Sequence, residues 1–418
     1  MRELACDVAV IGGGPAGVAA AVSSQRAGAK AVLIERAPFF GGNATAASVA
    51  AFCGFYTRGS SPDIAVAGIG GELLERMKSS GDYIEVYLSP SSGNTTVKFE
   101  PEEMKLALDS LVLDSGVSGY LHAALVSVET NGEGKIDRAV CSDDEGLFAV
   151  RASQYVDATG NATLIHFAGG ETVWGDDQGA VQQVSLVFRL EGLPRRDVAP
   201  SELKAAIVAG KEADIEHLAK EGGVIIKAAG ASFGYCTIPS TVLEGLASEN
   251  LTKAERELRK QVRAYTEAFR RFIPDFGSCH VAYSGPVMGL RESRRIVGET
   301  RITGEAILAG YKTPDSIARA AWSPEIHKGG TNPKFVHIAD NNYASIPLGA
   351  LICRGVNNAW IAGRAIASDP LALASVRVMG TSMATGHAAG VAAALSLSGN
   401  RADVAAVQKE LKLQGALI

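Results

Sequence analysis

The chain has 418 residues, of which 47% are hydrophobic and 20% are charged, and its formal net charge is -5 at pH 7. This length suffices for two well-packed domains, and the balance of apolar and charged residues excludes a mainly disordered chain. Because charges of one sign form no long runs, the composition predicts neither a nucleic-acid surface nor a basic membrane patch. The six cysteines show no C-x-x-C pair and no metal-ligand spacing. We therefore expect reduced thiols and no metal site.

The start of the sequence and its most apolar region are used to predict where in the cell the protein is found. Residues 384–397 are apolar but contain His387 and several glycines, and they are too few to span a bilayer. The first predicted strand begins about six residues after Met1, which leaves no room for a signal peptide. We therefore expect a cytoplasmic protein without a membrane span, and the sequence leaves open whether it forms a homo-oligomer.

The first motif is DVAVIGGGPAGVAAA, residues 7–21. Its apolar run at 8–11 predicts a buried parallel strand, and an alanine-rich helix follows. The glycines between them match G-x-G-x-x-G. In that motif the first glycine closes the turn, the second lets backbone approach a pyrophosphate, and the third lets the helix pack on the strand. The predicted cofactor contacts are Gly12, Gly14, Pro15, Ala16 and Gly17.

An acidic residue follows the next predicted strand. Residues 31–34 are apolar, and Glu35 comes eighteen residues after Gly17. A carboxylate at this place can accept hydrogen bonds from a ribose hydroxyl of an adenosine cofactor. A lone glycine motif is weak evidence, but a strand, a helix, a second strand and an acid in this order predict a dinucleotide site. These residues alone do not decide between FAD and NAD.

A second glycine-rich loop follows the acidic residue. Its Gly-Gly pair allows another close backbone approach, and the small residues after it can start a helix against a flat ligand. By itself the segment could be an ordinary loop. The predicted cofactor contacts are Arg36, Gly41, Gly42, Asn43, Ala44 and Thr45.

The next hundred or so residues alternate helices and strands. Amphipathic helices are predicted at 68–80 and 100–116, and strands near 119–122, 124–129, 138–142 and 147–151. The segment TNGEGKID at 130–137 is typical of a hairpin. At 154–161, QYVDATGN, a further strand ends in a sharp turn, for which a plain structural turn stays an alternative.

From about residue 165 the pattern changes to that of a second, mixed domain. Extended segments are predicted at 181–191, 224–228 and 233–239, and charged helices at 201–221 and 251–272. A charge-rich strand within 281–303 would place Arg291, Ser293 and Arg295 on one face, and Glu292 and Arg294 on the other.

The chain then returns to the first domain. Residues 358–363, NAWIAG, predict a buried strand that ends in glycine, and 377–397 predict a long helix of small residues. An A-G-R turn before such a helix would place the positive end of the helix dipole beside a planar ligand. Close packing of small residues explains the alanines but not this turn. The predicted contacts are Gly363, Arg364, Gly380, Thr381, Ser382 and Met383.

Together these motifs resemble one family: GGGPAG (12–17), Glu35, GGNAT (41–45), DATG (157–160), GLRESRRIVGE (289–299), IPLGAL (346–351) and residues 358–390. It is the group of FAD-dependent oxidoreductases related to fumarate reductase and succinate dehydrogenase flavoproteins, with the FAD fold of the glutathione reductase superfamily. The match covers nearly the whole chain in the expected order. The resemblance implies an α/β fold with a discontinuous, Rossmann-like FAD-binding domain (1–165 and 341–418) and an inserted mixed α+β capping or substrate domain (166–340).

The resemblance also implies contacts that the residues alone do not. The loop after Glu35 would pass the ribityl chain and flavin, the backbone of Val126 would contact adenine, and the start of the last long helix would face flavin N1 and O2. The DATG turn would contribute Ala158, Thr159 and Gly160. Two places depart from the family pattern. Asn161 and Ala162 replace an acid and a glycine, and His387 replaces a glutamine; we favour a packed over a catalytic histidine.

Other enzyme classes explain less. An NAD dehydrogenase leaves DATG and the A-G-R helix unexplained, and a disulfide reductase should show a second G-x-G-x-x-G and a C-x-x-x-x-C. An aromatic hydroxylase would carry Gly-Asp where this chain has Gly363-Arg364. We predict an oxidoreductase that transfers hydride between a small organic substrate and flavin N5. A flavin-dependent monooxygenase and a non-catalytic flavin-bound binding protein stay open as alternatives.

Three arginines within five residues suggest where substrate binds. Arg291, with Arg294 or Arg295, is predicted to anchor a carboxylate or other oxyanion, since guanidinium stays charged and offers a planar fork. His327 or Tyr343 is the predicted proton-transfer group. The alternative is that the arginines form structural salt bridges with Glu292, Glu299 or Glu305. Substrate identity, reaction direction and the electron acceptor or donor are not readable.

Overall fold

The computed structural model describes residues 1–89, 92–329 and 333–418, which form 22 β-strands and ten α-helices. The strands are β1 (Arg2–Ile11), β2 (Ala31–Ile34), β3 (Ala51–Cys53), β4 (Ile84–Leu88), β5 (Thr95–Phe99), β6 (Ser118–Tyr120), β7 (Ala124–Thr130), β8 (Ile136–Asp143), β9 (Gly146–Asp157), β10 (Thr172–Trp174), β11 (Val184–Ser185), β12 (Phe188–Glu191), β13 (Ile225–Ile226), β14 (Phe233–Cys236), β15 (Ser240–Thr241), β16 (His280–Ser284), β17 (Arg294–Ile296), β18 (Ser316–Ala320), β19 (Glu325–Ile326), β20 (Lys334–Phe335), β21 (Ala344–Pro347) and β22 (Ala359–Ile361). The helices are α1 (Pro15–Arg26), α2 (Ile69–Ser80), α3 (Pro101–Asp114), α4 (Thr163–Phe167), α5 (Pro200–Glu212), α6 (Ser248–Phe272), α7 (Gly304–Ala309), α8 (Pro370–Val376), α9 (Met379–Leu395) and α10 (Val404–Leu413).

A seven-stranded sheet organises the first domain. Strands β6, β2, β1, β9 and β22 lie side by side in parallel. β8 pairs antiparallel with the first half of β9, and β7 with β8. Because parallel strands end at one edge, the loops after β1, β2, β9 and β22 meet there. This architecture confirms the predicted α/β, Rossmann-like fold.

Small residues let two helices approach closely over this sheet. α1 and α9 pack against each other along much of their length. A side chain at Gly386 would overlap the carbonyl of Ala16, and one at Gly390 would overlap that of Ala20. The small residues of α9 are therefore required for close contact, and the same contact fixes α9 relative to the glycine turn that precedes α1.

The capping region has a hydrophobic core of its own. Its buried side chains come from residues 181–288 and lie between the sheet β13-β14-β12-β16 and helices α5 and α6. Buried residues from 296 onward, such as Ile317 and Ile346, belong instead to the core of the first domain. The predicted domain bounds, 1–165, 166–340 and 341–418, stay a prediction.

Several strands differ from those predicted. β1 begins at Arg2 rather than Val8, because its first residues pair with 148–152 of β9. The predicted strands at 147–151 and 155–156 are one strand, β9, which continues through its polar centre. Within residues 291–295 only Arg294 and Arg295 belong to a strand, β17 (Arg294–Ile296). The predicted alternation of faces over residues 291–295 is therefore wrong.

One predicted helix is shorter than expected, and one helix was not predicted. The helix predicted at 201–221 ends at Glu212, and Asp214 and His217 then adopt positive φ angles of 57° and 66°. Before α9, the chain forms the unpredicted helix α8, for which Asp369 is the N-cap; its carboxylate accepts a hydrogen bond from Ala372 N at 2.7 Å. Within the described ranges, no helix is long and apolar enough to cross a membrane, and no group of three or more His, Cys, Asp or Glu side chains is placed to hold a metal ion.

Candidate flavin and substrate site

Two glycines of the first motif are required by the protein itself. Gly12 has a φ of 104°, and a Cβ there would lie 2.5 Å from the carbonyl oxygen of Ala158. A Cβ at Gly17 would overlap the carbonyl oxygen of Gly12. The turn after β1 therefore closes tightly against the DATG turn and under α1, as the motif predicts.

Gly14 is different, because nothing in the described protein requires glycine there. Its φ of -68° and ψ of -177° suit any residue, and the nearest atom to a Cβ would be Gly42 Cα at 3.9 Å. Gly14 is also the N-cap of α1, whose first turn has no capping side chain and no acidic residue. The space above Gly14, between two glycine turns and in front of unpaired helix N-H groups, fits a pyrophosphate.

Glu35 is fixed at the end of β2 by backbone donors. Its Oε2 accepts from Gly13 N at 2.6 Å, and its Oε1 accepts from Ala37 N at 2.8 Å. A carboxylate has further lone pairs, so Glu35 can still accept hydrogen bonds from ribose hydroxyls. Arg36, the next residue, is exposed.

The second glycine loop crosses directly over the first. Gly41 N donates to Gly13 O at 2.8 Å, and Gly41 has a φ of 114°. Residues Gly42–Ala44 form a single 3-10 turn rather than the start of a longer helix. Asn43 Nδ2 donates to Leu290 O at 3.4 Å, so this loop also contacts the capping region.

Val126 lies in β7, and the residue just before that strand is hydrogen-bonded to Glu35. Ala123 N, at the start of this segment, donates to Glu35 O at 2.9 Å. Val126 itself is 43% exposed and sits where the pairing of β7 with β8 shifts register. Its backbone is therefore outside the regular ladder, and its contact with adenine stays a prediction.

Asn161 connects the DATG turn with the capping region and the last motif. Its Oδ1 accepts from Ser293 Oγ at 2.8 Å and from Arg364 Nη2 at 2.7 Å. Its carbonyl accepts from Arg294 Nε at 3.0 Å. Where the resembled family carries an acid, this chain thus has an amide that ties three segments together. Sequence reasoning missed this role.

The turn Asp157–Gly160 is held by one buried carboxylate. Asp157 accepts hydrogen bonds from Thr159 N and Oγ1 and from Ile165 N, at 3.0, 2.7 and 3.0 Å. Burial raises the pKa of Asp157, while these hydrogen bonds oppose the rise. Ala158 N donates to Ile11 O at 2.8 Å. Ala158, Thr159 and Gly160 are therefore placed beside the first glycine turn.

Arg364 takes the place that follows the last parallel strand. Gly363 has a φ of 76°, and its N-H donates to Thr385 Oγ1 at 3.1 Å. Arg364 packs on Gly160, and its Nε has no hydrogen-bond partner among the described residues. Burial and the charges of Arg36 and Arg377 lower the pKa of Arg364 to about 10. This side chain is a partly buried cation whose Nη2 donates to the neutral Asn161, and it forms no salt bridge with a carboxylate within the described ranges.

The start of α9 is open to a polar ligand. The helix begins at Met379, and its first turn has no capping side chain and no acidic residue. Thr381 is fully buried, yet its Oγ1 lacks a partner in the described part of the chain. Gly380, Ser382 and Met383 are buried around it. The helix dipole and an unpaired hydroxyl therefore converge on one place.

Beside this helix, charged side chains from distant segments meet. Arg291 Nη1 donates to Gln183 O at 2.7 Å. His327 Nε2 lies 3.1 Å from Glu325 Oε1, and Arg377 Nη2 lies 3.8 Å from Glu325 Oε2. Arg377 also donates to the Glu325 carbonyl at 3.0 Å. We call Arg291, Glu325, His327 and Arg377 the charged cluster.

The protonation states of the charged cluster follow from its surroundings. Burial would raise the pKa of Glu325, but the hydrogen bond from His327 and the neighbouring cations outweigh it and lower that pKa to about 2. Burial and the charge of Arg291 lower the pKa of His327 to about 3, against the pull of Glu325. His327 is therefore neutral at pH 7. Since Glu325 is an anion, His327 Nε2 donates to it and Nδ1 carries the lone pair.

Of the remaining predicted catalytic residues, none joins this cluster. Arg295 Nη1 pairs with Glu292 Oε1 at 2.6 Å, and both side chains are buried. Arg294 donates to Asn161 O at 3.0 Å. Tyr343 lies between Lys312 Nζ, 3.7 Å from its ring centre, and Arg319 Cζ, 4.5 Å from it. In the described residues, Arg295 thus has the structural role, whereas Arg291 forms no ion pair.

Sequence reasoning missed Glu325 and Arg377. Two signals were available: Glu325 and His327 are two residues apart, as on one face of a strand, and Arg377 stands just before α9, where the helix dipole disfavours a cation. His387 is 1% exposed, and its Nε2 lies 3.0 Å from Gln414 Oε1. This environment is that of a packed histidine.

Comparison with known proteins gives the family. The model of the family described as FAD dependent oxidoreductase matches residues 7–414. The chain belongs to this family. It is therefore an FAD-dependent enzyme, as predicted, and the open space at Gly14 and the unpaired donors of Arg364 and Thr381 fit that cofactor.

Solved structures of similar fold include three flavoenzymes or related proteins. One is a geranylgeranyl bacteriochlorophyll reductase-like protein from Thermoplasma acidophilum (15% identity, 98% of this chain and 83% of that chain, TM-score 0.48). Another is the flavin-dependent brominase Bmp2 (15% identity, 99% of this chain and 84% of that chain, TM-score 0.49). The third is p-nitrophenol 4-monooxygenase PnpA from Pseudomonas putida DLL-E4 (12% identity, 98% of this chain and 84% of that chain, TM-score 0.46). No curated protein sequence matches the chain.

Proposed function

We propose that this FAD-dependent oxidoreductase transfers hydride between a small anionic organic substrate and flavin N5. The observation that carries the proposal is the charged cluster. In it, Arg291 forms no ion pair with any described residue, and it stands near a neutral histidine whose Nδ1 has no partner there. The resemblance to fumarate reductase flavoproteins supports a dehydrogenase or reductase, with the direction open.

The charge balance of the cluster favours an anionic ligand. Arg291 and Arg377 carry two positive charges, and Glu325 carries the single negative charge, which His327 already engages. A buried charge without a partner is costly. An oxyanion of the substrate would compensate Arg291, and the guanidinium fork would orient it.

Each residue of the cluster then has a defined task. Bound FAD supplies the two-electron acceptor or donor. Arg291 holds the substrate anion, and His327 Nδ1 takes up or returns the substrate proton. Glu325 fixes the histidine tautomer and stabilises the ring when it becomes charged. Arg377 keeps Glu325 ionised. Tyr343, with contacts to Lys312 and Arg319, is a less suitable proton-transfer group.

The predicted cytoplasmic location also stays a proposal. Its support is that all six cysteines are free thiols, as is usual in a reducing compartment. Burial raises the pKa of several of them, including Cys53 in the flavin region, so they are expected to be unreactive thiols.

The experiment starts from a screen of small carboxylates and other metabolites for bleaching of the bound flavin without oxygen. For a substrate found in this way, Arg291→Ala should weaken binding by roughly ten- to a hundredfold, since a charged hydrogen bond contributes about 1.5 to 3 kcal/mol. FAD content and melting temperature should hold. Arg295→Ala is the matched control: it breaks the buried pair with Glu292 and should lower the melting temperature instead.

Two results would contradict this function. One is an Arg291→Ala protein that loses flavin or melts early while its substrate affinity is unchanged, because Arg291 would then be structural. The other is a substrate without any anionic group that turns over as fast in the variant as in the wild type.

A further inference from the structure

Gln182 and Gln183, which lie just before β11, are hydrogen-bonded to two members of the charged cluster. Gln183 N donates to His327 O at 3.0 Å, and Gln183 O accepts from Arg291 Nη1 at 2.7 Å. The side-chain Oε1 of Gln182 accepts from His327 N at 3.1 Å. Two consecutive residues are therefore bonded both to the arginine that is proposed to bind the anion and to the histidine that is proposed to move the proton.

His327 lies one residue beyond the end of a strand. β19 ends at Ile326, and its pairing with β20 involves Glu325 and Ile326. The two main-chain polar groups of His327 are bonded instead by Gln182 and Gln183. His327 is 7% exposed, and a buried N-H without an acceptor is costly. The carboxamide of Gln182 supplies the acceptor that the strand pairing does not.

Gln182 is itself held by the buried ion pair of Glu292 and Arg295. Its N-H donates to Glu292 Oε2 at 2.9 Å, and Glu292 Oε1 pairs with Arg295 Nη1 at 2.6 Å. Arg295 also donates to the carbonyls of Gly175 and Ser368, at 2.7 and 3.1 Å. Gln182 is only 2% exposed. Its side chain therefore starts from a fixed point of the main chain.

An amide suits this place better than a carboxylate. The charged cluster already contains one carboxylate, Glu325, which contacts both His327 and Arg377. A second carboxylate, hydrogen-bonded to the main chain of His327, would favour the charged form of the imidazole. The side chain of Gln182 accepts the hydrogen bond without adding a charge, so it acts on the position of the histidine alone.

We propose that Gln182 is a positioning residue, which sets where His327 stands relative to Arg291. The inference rests on the proposed function, in which Arg291 holds the substrate anion and His327 moves the proton. Glu325 fixes the tautomer of the ring, and Gln182 fixes the main chain that carries the ring. Because a misplacement of about 1 Å can slow a reaction on the order of a hundredfold, the hydrogen bond from His327 N should affect turnover more than binding.

The test compares two variants of the FAD-loaded protein. Gln182→Met removes the acceptor and keeps the length of the side chain, whereas Gln182→Glu keeps an acceptor oxygen. Gln154→Met is the control, because Gln154 is also buried but bonds to Trp360 Nε1 and Ser396 O, at 3.2 Å each, and neither partner belongs to the charged cluster. NMR of protein with 15N-labelled histidine observes the rings, and His327→Gln identifies the signals of that residue.

Loss of the acceptor should change the histidine and not the anion site. In Gln182→Met the ring signals of His327 should shift, and reduction of the flavin by a substrate from the screen should be at least about tenfold slower. Affinity for acetate, malonate and nitrate, read from the flavin spectrum at pH 7, should stay within about threefold, because Arg291 keeps its bond to the Gln183 carbonyl. Gln182→Glu and Gln154→Met should keep the wild-type ring signals.

Two results would overturn the role of Gln182 alone. One is a Gln182→Met protein with unchanged His327 signals and a melting temperature lowered as in Gln154→Met, because Gln182 would then only support the fold. The other is an equal shift of these signals in Gln182→Met and Gln182→Glu, because the acceptor would then not be what matters. Should Gln182→Met fail to fold, Gln182→Asn, which is one methylene shorter, replaces it with the same expectations.

A different result would overturn the proposed function. It is a wild-type protein that binds none of the three anions and whose flavin no metabolite of the screen reduces. The NMR comparison needs neither an anion nor a substrate, so it still decides whether Gln182 holds His327 in place.

Discussion

Three glycines in one turn serve two different purposes. Gly12 and Gly17 are needed because a side chain would run into the backbone of the protein, whereas Gly14 has room for one. Because the packing of the protein does not require glycine at position 14, we infer that a bound ligand requires it. The pyrophosphate of FAD is the ligand that family membership supplies, and the same position is where the motif brings backbone to phosphate.

This distinction predicts opposite outcomes for one type of substitution. Gly14→Ala should lower FAD affinity at least about tenfold and leave the FAD-free protein as stable as the wild type, because its Cβ meets only the cofactor. Gly17→Ala should destabilise the fold. Gly71→Ala, in α2 with no neighbour within 4 Å of a Cβ, is the control for both measurements. A Gly14→Ala protein that is purified with full FAD content would show that the pyrophosphate lies elsewhere.

His327 should make the protein sensitive to acid. Its pKa is near 6.5 when unfolded and about 3 when folded, so the unfolded state binds more protons between these values, and stability falls as pH drops below 6.5. Between pH 6.5 and 4.5 this histidine alone should cost roughly 2 kcal/mol of unfolding free energy. Denaturation at the two pH values should show that His327→Gln loses this difference, while the exposed His280→Gln keeps it. If the wild type, His327→Gln and His280→Gln all lose the same unfolding free energy between the two pH values, His327 is not held neutral in the folded protein.

The element that we expect to act on the flavin is α9, whose first turn has no capping side chain. Its positive end should stabilise negative charge on the flavin by about 0.3 to 1 kcal/mol when exposed and up to about 2 when partly buried. We therefore expect a sulfite adduct of the bound flavin at millimolar sulfite. In Gly380→Ala a Cβ would lie 2.8 Å from Cys53 O and displace the helix start, which should weaken the adduct. Gly71→Ala should not. Wild-type protein that forms no adduct would argue that α9 points elsewhere.

Elements with local signals were predictable from the sequence. The glycine turn, α1 and the buried strand β22 follow from short apolar runs and turn residues that need no distant partner. β9 was not recognised as one strand because Gln154 breaks its apolar pattern. In the structure Gln154 is buried and bonds to Trp360 Nε1 and Ser396 O at 3.2 Å each, and these partners lie more than two hundred residues later.

The candidate site likewise has one part that the sequence suggests and one part that only the packing of the chain brings together. Most of the predicted FAD contacts follow a strand end or begin a helix, which is why the sequence suggests them; Val126, inside β7, rests on the resemblance alone, and all of these contacts stay predictions. The charged cluster was only half predictable, since Arg291, His327, Glu325 and Arg377 come from separate segments that the packing of the capping region brings together. Arg295 was predicted to help Arg291 anchor the substrate anion, but it pairs with Glu292 instead. In a strand these two side chains, three residues apart, would lie on opposite faces. They meet because the segment that contains both is not one strand.

On the scale of the whole molecule, FAD should act as part of the fold. The glycine turn, the DATG turn and the A-G-R turn come from three segments, and Arg364 Nε and Thr381 Oγ1 lack hydrogen-bond partners among the described residues. A ligand that binds only the folded state at a hundred times its Kd adds about 2.7 kcal/mol. FAD returned to the stripped protein should therefore raise its melting temperature by several degrees.

FMN and NAD are the controls for this measurement of the melting temperature. FMN lacks the adenosine ribose that Glu35 is predicted to bind, and NAD lacks the flavin, so each should raise the melting temperature much less than FAD does. The purified protein should be yellow and should release FAD on denaturation. A colourless protein that is stabilised by NAD but not by FAD would contradict the assignment of Glu35 and of the three turns.

The pairing of β22 with the end of β9 has a consequence for how the protein is made. Roughly 200 residues separate Asp157 from Ala359, which a ribosome adding 5 to 20 residues per second needs roughly 10 to 40 s to synthesise. During that interval the capping region, whose core is contiguous in sequence, can complete its folding, while the open flank of β9 and the uncovered side of α1 wait for the carboxyl-terminal part of the chain. The nascent protein therefore passes through a period in which the last residues of β9 lack β22 on one side and α1 lacks α9, and the proposed flavin site stays incomplete until those elements have been made.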